Sequence, residues 1–171
     1  MGTRLEELAE AEPPSTEELA EAEPPHTTAS EDAASMEMVE RVMAIAHLPS
    51  TAHVAVIGRH TLPFVLALMR SGCDCVRSLR PGAPSPDCEA ADLAWIVDIG
   101  DERELDEALR AARSRAGASG RVILEGAACR WRNALAAIRE HALAARLDIV
   151  SFDHGTRRLV LAPASPLAMA A

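Results

Sequence analysis

The hydrophobic period of the chain changes several times, and each change marks an element. From Met36 to His47 the residues Met38, Val39, Val42, Met43 and Ala46 fall on one helical face, which predicts a helix closed by Pro49. His53 to Ile57 (HVAVI) is a short β-branched run that stops at Gly58 and predicts a strand. Thr61 stands where it can cap a helix from Leu62 to about Arg70, and that stretch (LPFVLALM) is apolar nearly all round, which predicts a buried helix. Gly72 ends it, and Cys75 to Leu79 predict a second strand. Arg80 to Ala91 carry Pro81, Gly82, Pro84 and Pro86 and read as a loop. Leu93 to Asp98 (LAWIVD) is an unbroken apolar run of the kind that suits a parallel strand covered on both faces.

The second half continues the alternation. Asp101 caps a helix with Glu102 and Glu104 near its start and Arg110, Arg113 and Arg115 towards its end, the order the helix dipole favours. Leu105, Ala108, Leu109, Ala112 and Ala116 form its inner stripe, and Gly117 and Gly120 punctuate a turn into a strand from Arg121 to Glu125. A further helix is expected from about Trp131 to Arg146, burying Trp131, Ala134, Leu135, Ile138, Ala142 and Ala145. Ile149 to Phe152 and Leu159 to Ala162 then flank Asp153-His154-Gly155-Thr156 as an antiparallel hairpin. Strands separated by helices imply right-handed parallel crossovers. The expected fold class is α/β, a three-layer Rossmann-like sandwich with a mostly parallel sheet and a C-terminal antiparallel hairpin.

Charge divides this picture in two. The 171 residues carry a formal charge of −9, and residues 1–35 hold ten acids against the single base Arg4. The rest is balanced at 16 arginines and 16 acids. Within the acidic part EELAEAEPPST at 6–16 recurs as EELAEAEPPHT at 17–27, each copy with few apolar residues and a proline pair that ends any helix. Residues 1–35 are therefore expected to be a disordered acidic tail, 36–165 the Rossmann-like α/β domain, and 166–171 a C-terminal tail. The Leu-Ala-Glu segments can be read as short acidic helices for the basic surface of a protein partner, and the two-copy repeat can equally be read as a neutral duplication. An acidic start is not a targeting peptide, and no window is long and apolar enough to span a bilayer. With Cys73, Cys75, Cys88 and Cys129 unaccompanied by an export signal, the expected compartment is the cytoplasm, with no membrane partner.

Absent residue types narrow the chemistry. The chain has no Lys, Tyr or Gln, which excludes a Schiff-base lysine, a phosphate-loop lysine and a tyrosine acid. The cysteines have the spacing C-x-C-x12-C without the paired C-x2-C units of zinc sites, and buried thiols are expected instead. The six histidines form no helical ligand pair, so no metal is expected. Arg130, Arg132, Arg157 and Arg158 read as salt-bridged surface arginines, as Asp106 and Arg110 do at i, i+4. A balanced domain with two Phe and two Trp supplies neither backbone attraction nor base stacking for nucleic acid.

The order of elements resembles the class I S-adenosylmethionine-dependent methyltransferase fold over about residues 36–165: a leading helix, a strand ending in Gly, a crossover helix, a strand ending in acid and a closing hairpin. The resemblance implies a Gly-rich cofactor loop after the first strand and a ribose-binding acid at the end of the second. Here the loop reads Ile57-Gly58-Arg59-His60-Thr61-Leu62-Pro63 and keeps one such glycine, Gly58. The second strand ends Val76-Arg77-Ser78-Leu79-Arg80, with basic residues in place of the acid. The family's third strand has no counterpart, because the Pro-rich loop fills the interval. Asp98 takes the polar position at the fourth strand's end. The resemblance thus implies Gly58, Arg59, His60, Thr61 and Asp98 as cofactor-binding residues, with S-adenosylmethionine as the cofactor such a site would take, and names no catalytic residue. The absence of G-x-G-x-x-G also removes the pyrophosphate site of nicotinamide enzymes.

Independently of the family, the carboxyl ends of parallel strands form the ligand crevice of such sheets. Arg59, His60 and Thr61 precede a helix amino terminus, an arrangement that suits a small anionic ligand or one in which Thr61 merely caps. Asp98 can steer an amine or act as a base, or cap the following loop, and Glu125 repeats the pattern one strand on. The favoured reading is a non-catalytic methyltransferase-like binding or regulatory module, with a homodimer among its assemblies. The alternative is a divergent S-adenosylmethionine-dependent methyltransferase acting on a small acceptor.

Overall fold

The computed structural model describes residues 28–83, 89–125 and 134–164. The acidic repeat at 6–27, Cys88, Cys129, Arg130, Trp131 and Arg132 lie outside them. The elements are α1 (Thr28–Ala46), β1 (His53–Ile57), α2 (Leu62–Arg70), β2 (Cys75–Leu79), β3 (Ala91–Ile96), α3 (Glu102–Arg115), β4 (Ala116–Glu125), α4 (Ala134–Ala144), β5 (Leu147–Asp153) and β6 (Arg158–Pro163). They build one six-stranded sheet in the order β2-β1-β3-β4-β6-β5. The first four strands are parallel, and β6 runs antiparallel to both β4 and β5. The mostly parallel α/β fold with its terminal hairpin is as the alternation of periods predicts.

The pleat sorts the strand residues into two cores. Val54, Val56, Leu93, Trp95, Val97, Ile123 and Val160 pack with α1 and α2 on one face. Ile57, Ala94, Ile96, Val122, Leu124, Leu159 and Leu161 pack with α3 and α4 on the other. This is why LAWIVD shows no alternation before its final Asp: both faces of β3 are covered from Leu93 on, so Leu93 to Val97 are all apolar. Trp95 is fully buried, with Phe64 of α2 edge-on at a centroid distance of 5.1 Å.

Several boundaries differ from the sequence reading for local reasons. α1 begins at Thr28, eight residues before the expected Met36, through the helix formers Ala33 and Ala34 and a buried Ser35. β3 stops at Ile96, and Asp98 beyond it turns left-handed at φ +49, which ends the extended run. Gly117 and Gly120 are strand, not turn: β4 starts at Ala116 directly after α3 and shifts register against β3 between Ala91 and Leu93. A Cβ on Gly120 would lie 2.7 Å from the Ala91 carbonyl oxygen, so glycine is what lets the irregular strand approach.

Two burial expectations are corrected. α2 is apolar nearly all round yet buries only Ala67 and Leu68 fully, because among the described residues nothing packs on its outer side. Leu135 of α4 is exposed as well, while Ile138, Ala142 and Ala145 are buried as expected. Of the thiols, Cys73 is buried and Cys75 exposed, the second because it opens the edge strand β2. Burial, with Asp74 close by, pushes the Cys73 thiol pKa up, which keeps it protonated and unreactive.

Candidate functional site

β2 lies on one side of β1 and β3 on the other, so the chain reverses its direction of sheet growth at β1. The crevice of an open α/β sheet opens at such a switch point, between the carboxyl ends of the two strands. Here those ends lead into Gly58-Arg59-His60-Thr61 and Val97-Asp98-Ile99-Gly100. The sequence-predicted residues Gly58, Arg59, His60, Thr61 and Asp98 are thus brought to one place.

Their side chains serve each other. Gly58 is buried, its N–H donating to the Leu79 carbonyl at 3.0 Å, and a Cβ on it would lie 2.9 Å from the Val97 carbonyl carbon and nearer still to its oxygen. The glycine lets β1 and the end of β3 converge. Arg59 crosses the opening to α3: its Nε donates to Glu104 Oε1 at 2.7 Å, and its Nη2 lies 3.6 Å from Asp101 Oδ2. The hydrogen bond to the Glu104 carboxylate, together with the Glu104, Asp101 and Asp98 charges, raises the Arg59 pKa further against a smaller opposing effect of desolvation. The guanidinium lies over Gly100, where a Cβ would collide with it. His60 Nδ1 pairs with Asp98 Oδ2, and the Arg59 N–H reaches the Asp98 carbonyl at 3.5 Å.

Thr61 occupies the cap position of α2 but does not cap it. Its backbone is helical at φ −85, ψ −18, its hydroxyl pairs with Ser78 Oγ of β2, and Pro63 removes one of the N–H groups a cap would serve. The buried Thr61 therefore fastens the start of α2 to β2.

Sequence reasoning missed Glu104 as the residue that closes the opening, although a signal was present. Asp101-Glu102-Arg103-Glu104 has the capping-box spacing, and Asp101 Oδ1 accepts the Glu104 N–H at 2.9 Å while Glu104 Oε2 accepts the Gly100 N–H at 2.9 Å. One carboxylate thus holds both the helix start and Arg59. Asp101→Ala is expected to cost about 1 kcal/mol, the usual worth of an N-cap, read as a lower midpoint in urea denaturation. An unchanged midpoint would show that the cap contributes nothing here.

The other candidates lie elsewhere. Glu125 is not a crevice carboxylate: it is buried, accepts Arg158 Nε at 2.7 Å and Trp95 Nε1 at 3.3 Å, and anchors β4 to β6. Arg158, read from sequence as a surface arginine, is therefore an interior one, 4% exposed. His141 ties α4 to α3 through Glu102 at 3.0 Å and Asp106 at 3.4 Å, and the Asp106–Arg110 pair forms as its spacing predicts. Among the described residues no three His, Cys, Asp or Glu side chains are grouped to hold a metal ion, and no helix is long and apolar enough to cross a membrane.

No family model matches the chain, and no curated protein matches it. Solved structures do. A TehB-like S-adenosylmethionine-dependent methyltransferase from Corynebacterium glutamicum superposes with a TM-score of 0.55 at 16% identity, covering 78% of this chain and 96% of that one. DesVI of Streptomyces venezuelae gives 0.53 at 11% identity over 79% of this chain and 92% of its own. The CcbJ methyltransferase of Streptomyces caelestis gives 0.52 at 12% identity over 78% and 92%. The fold is therefore that of the class I S-adenosylmethionine-dependent methyltransferases, a Rossmann-like α/β sheet closed by an antiparallel pair.

Proposed function

We propose that this chain is a non-catalytic methyltransferase-like module, which keeps the scaffold and uses it for binding or regulation. The observation that carries this reading is the crevice at the switch point, spanned by the chain's own Arg59–Glu104 and Arg59–Asp101 pairs and by His60 on Asp98.

The residues present do not fit S-adenosylmethionine. A ribose needs an acceptor at the end of β2, and that end offers Ser78, bonded to Thr61, followed by Leu79 and Arg80. The approach of a cofactor to the loop needs an open glycine face, and the face of Gly58 is closed by the Val97 carbonyl. A small anion fares no better at Arg59, since it would have to displace two carboxylates. No methyl-transfer step is derived from this site.

Titration calorimetry of the full chain with S-adenosylmethionine tests the proposal. The expected result is no saturable heat up to about 1 mM ligand, a ceiling of about 4 kcal/mol of binding. Micromolar binding that S-adenosylhomocysteine displaces would overturn it in favour of a divergent methyltransferase.

A further inference from the structure

Among the described residues large apolar side chains stay exposed on both faces of the sheet. α2 exposes Leu62, Leu66 and Met69 on the face it shares with α1, and α4 exposes Leu135 at 45% and Leu143 at 76% on the face it shares with α3. The α4 surface is a groove of about 910 Å³. Leu135 and Leu143 stand two helical turns apart, about 12 Å, and β5 supplies the facing wall with Ile149 and Phe152. Ile149 is itself 38% exposed, and His154 lies edge-on to Phe152 at a centroid distance of 4.5 Å. A contiguous apolar surface of this kind is costly to leave in water and marks a docking face.

Strand addition does not account for the exposure. β5 is the last strand on its side of the sheet, but its register against β6 slips between Ile149 and Ser151 and leaves Val150 bulged and 64% exposed. A bulge in an edge strand opposes pairing with a further strand. What docks here therefore meets the face and not the edge.

The charges of that face select the occupant. Arg139 and Glu140 line the groove, and the exposed Arg146 and Asp148 stand where α4 gives way to β5. At the hairpin end Asp153 is bonded within its own turn, which also carries Arg157, so the signs stay even. On the far side of α4, His141 is already paired with Glu102 and Asp106 of α3. An isologous contact sets a surface against itself, so net charge opposes it and an even balance permits it. Along α4 the order is Leu135, Arg139, Glu140, Leu143, with leucines outside and opposite charges within. Two such helices meeting end for end bring each Leu143 to the other copy's Leu135 and each arginine within reach of a glutamate. Among the described residues neither Arg139 nor Glu140 has an ion-pair partner in its own chain.

We propose that a second copy of this chain docks isologously on the groove, Leu143 of each copy entering between Leu135 and Ile149 of the other. A face built from one helix and one strand lies at the small end of specific interfaces, so the dimer is concentration-dependent and not obligate. α4 and β5 contribute no residue to the switch-point crevice, so this inference is independent of the cofactor reading and survives its failure.

Sedimentation equilibrium of the full chain over a range of concentrations tests it. A monomer–dimer equilibrium is expected, weakened about tenfold or more in Leu143→Glu and unchanged in Leu66→Glu on the opposite face. Arg139→Glu makes both meeting surfaces acidic and is expected to weaken the dimer as well, whereas combining it with Glu140→Arg restores the balance and most of the association. Unchanged urea midpoints verify that each variant is folded. A chain that stays monomeric up to about 0.5 mM overturns the proposal. So does a dimer that survives Leu143→Glu or is lost in Leu66→Glu, or a charge exchange that associates no better than Arg139→Glu alone. Assembly that grows past the dimer also overturns it, since that requires a head-to-tail contact between different surfaces.

Discussion

Gly58→Ala is expected to destabilise the domain by about 3 kcal/mol, the upper end of what overpacking a filled site costs. The added methyl would press on the Val97 carbonyl, at 2.9 Å from its carbon and closer to its oxygen. Neither side can yield easily. The Val97 N–H is bonded to the Ile57 carbonyl at 2.9 Å and the Gly58 N–H to Leu79 at 3.0 Å, so relief means separating β1 from its neighbours. Gly100→Ala is the control, since the atoms nearest its Cβ would be those of the Arg59 guanidinium, the end of a flexible side chain. Its cost is expected to stay below about 1 kcal/mol, in the ordinary range of surface substitutions. Urea denaturation of the two variants gives the comparison. A Gly58→Ala midpoint close to that of Gly100→Ala would show that the strand ends separate freely and that the glycine has no packing role. Because the glycine serves the sheet, substitutions there report on folding and not on a cofactor.

The second large effect belongs to Glu125 and Arg158. They face each other across the β4–β6 ladder at 2.7 Å, with side chains 9% and 4% exposed. Glu125→Ala leaves a guanidinium in the interior and also removes the acceptor of the Trp95 indole N–H. An expected loss of about 3 to 5 kcal/mol follows from breaking a buried pair on one side. Replacing both, Glu125→Met with Arg158→Met, is expected to recover the part of that loss due to the unpaired ion, leaving a deficit of about 1 to 3 kcal/mol from the Trp95 indole N–H that has lost its acceptor. A double-mutant cycle from denaturation curves measures the coupling. Additive losses would mean that each residue acts alone and that the pair is not a unit.

Much of the fold was legible in the sequence, and the reasons are local. The β-branched run of β1 and the double-sided apolar run of β3 carry their burial in their composition, and the capped, charge-ordered α3 carries its ends. The site was legible as a set of positions, since Gly58, Arg59, His60, Thr61 and Asp98 do converge. Their partners were not. Glu104 closes on Arg59 from 45 residues away, Ser78 takes the Thr61 hydroxyl from 17 away, and Arg158 finds Glu125 across 33. Such choices depend on the distance between chain segments, which no window of sequence contains.

The same division accounts for α2. Its sequence fixes that it is helical and apolar, but not which apolar positions are covered, because covering is a property of neighbours. The sequence by itself determined the period of each element, the parallel alternation with its closing hairpin, and the separation of eight glutamates in residues 1–27 from a balanced remainder. Only the tertiary structure decided that Gly58 belongs to strand packing, that Glu125 is an interior ion and not a crevice base, and that Leu62, Leu66 and Met69 face outward. Periodicity and charge are carried by the covalent order of residues, whereas contact, desolvation and exposure arise only when distant segments meet.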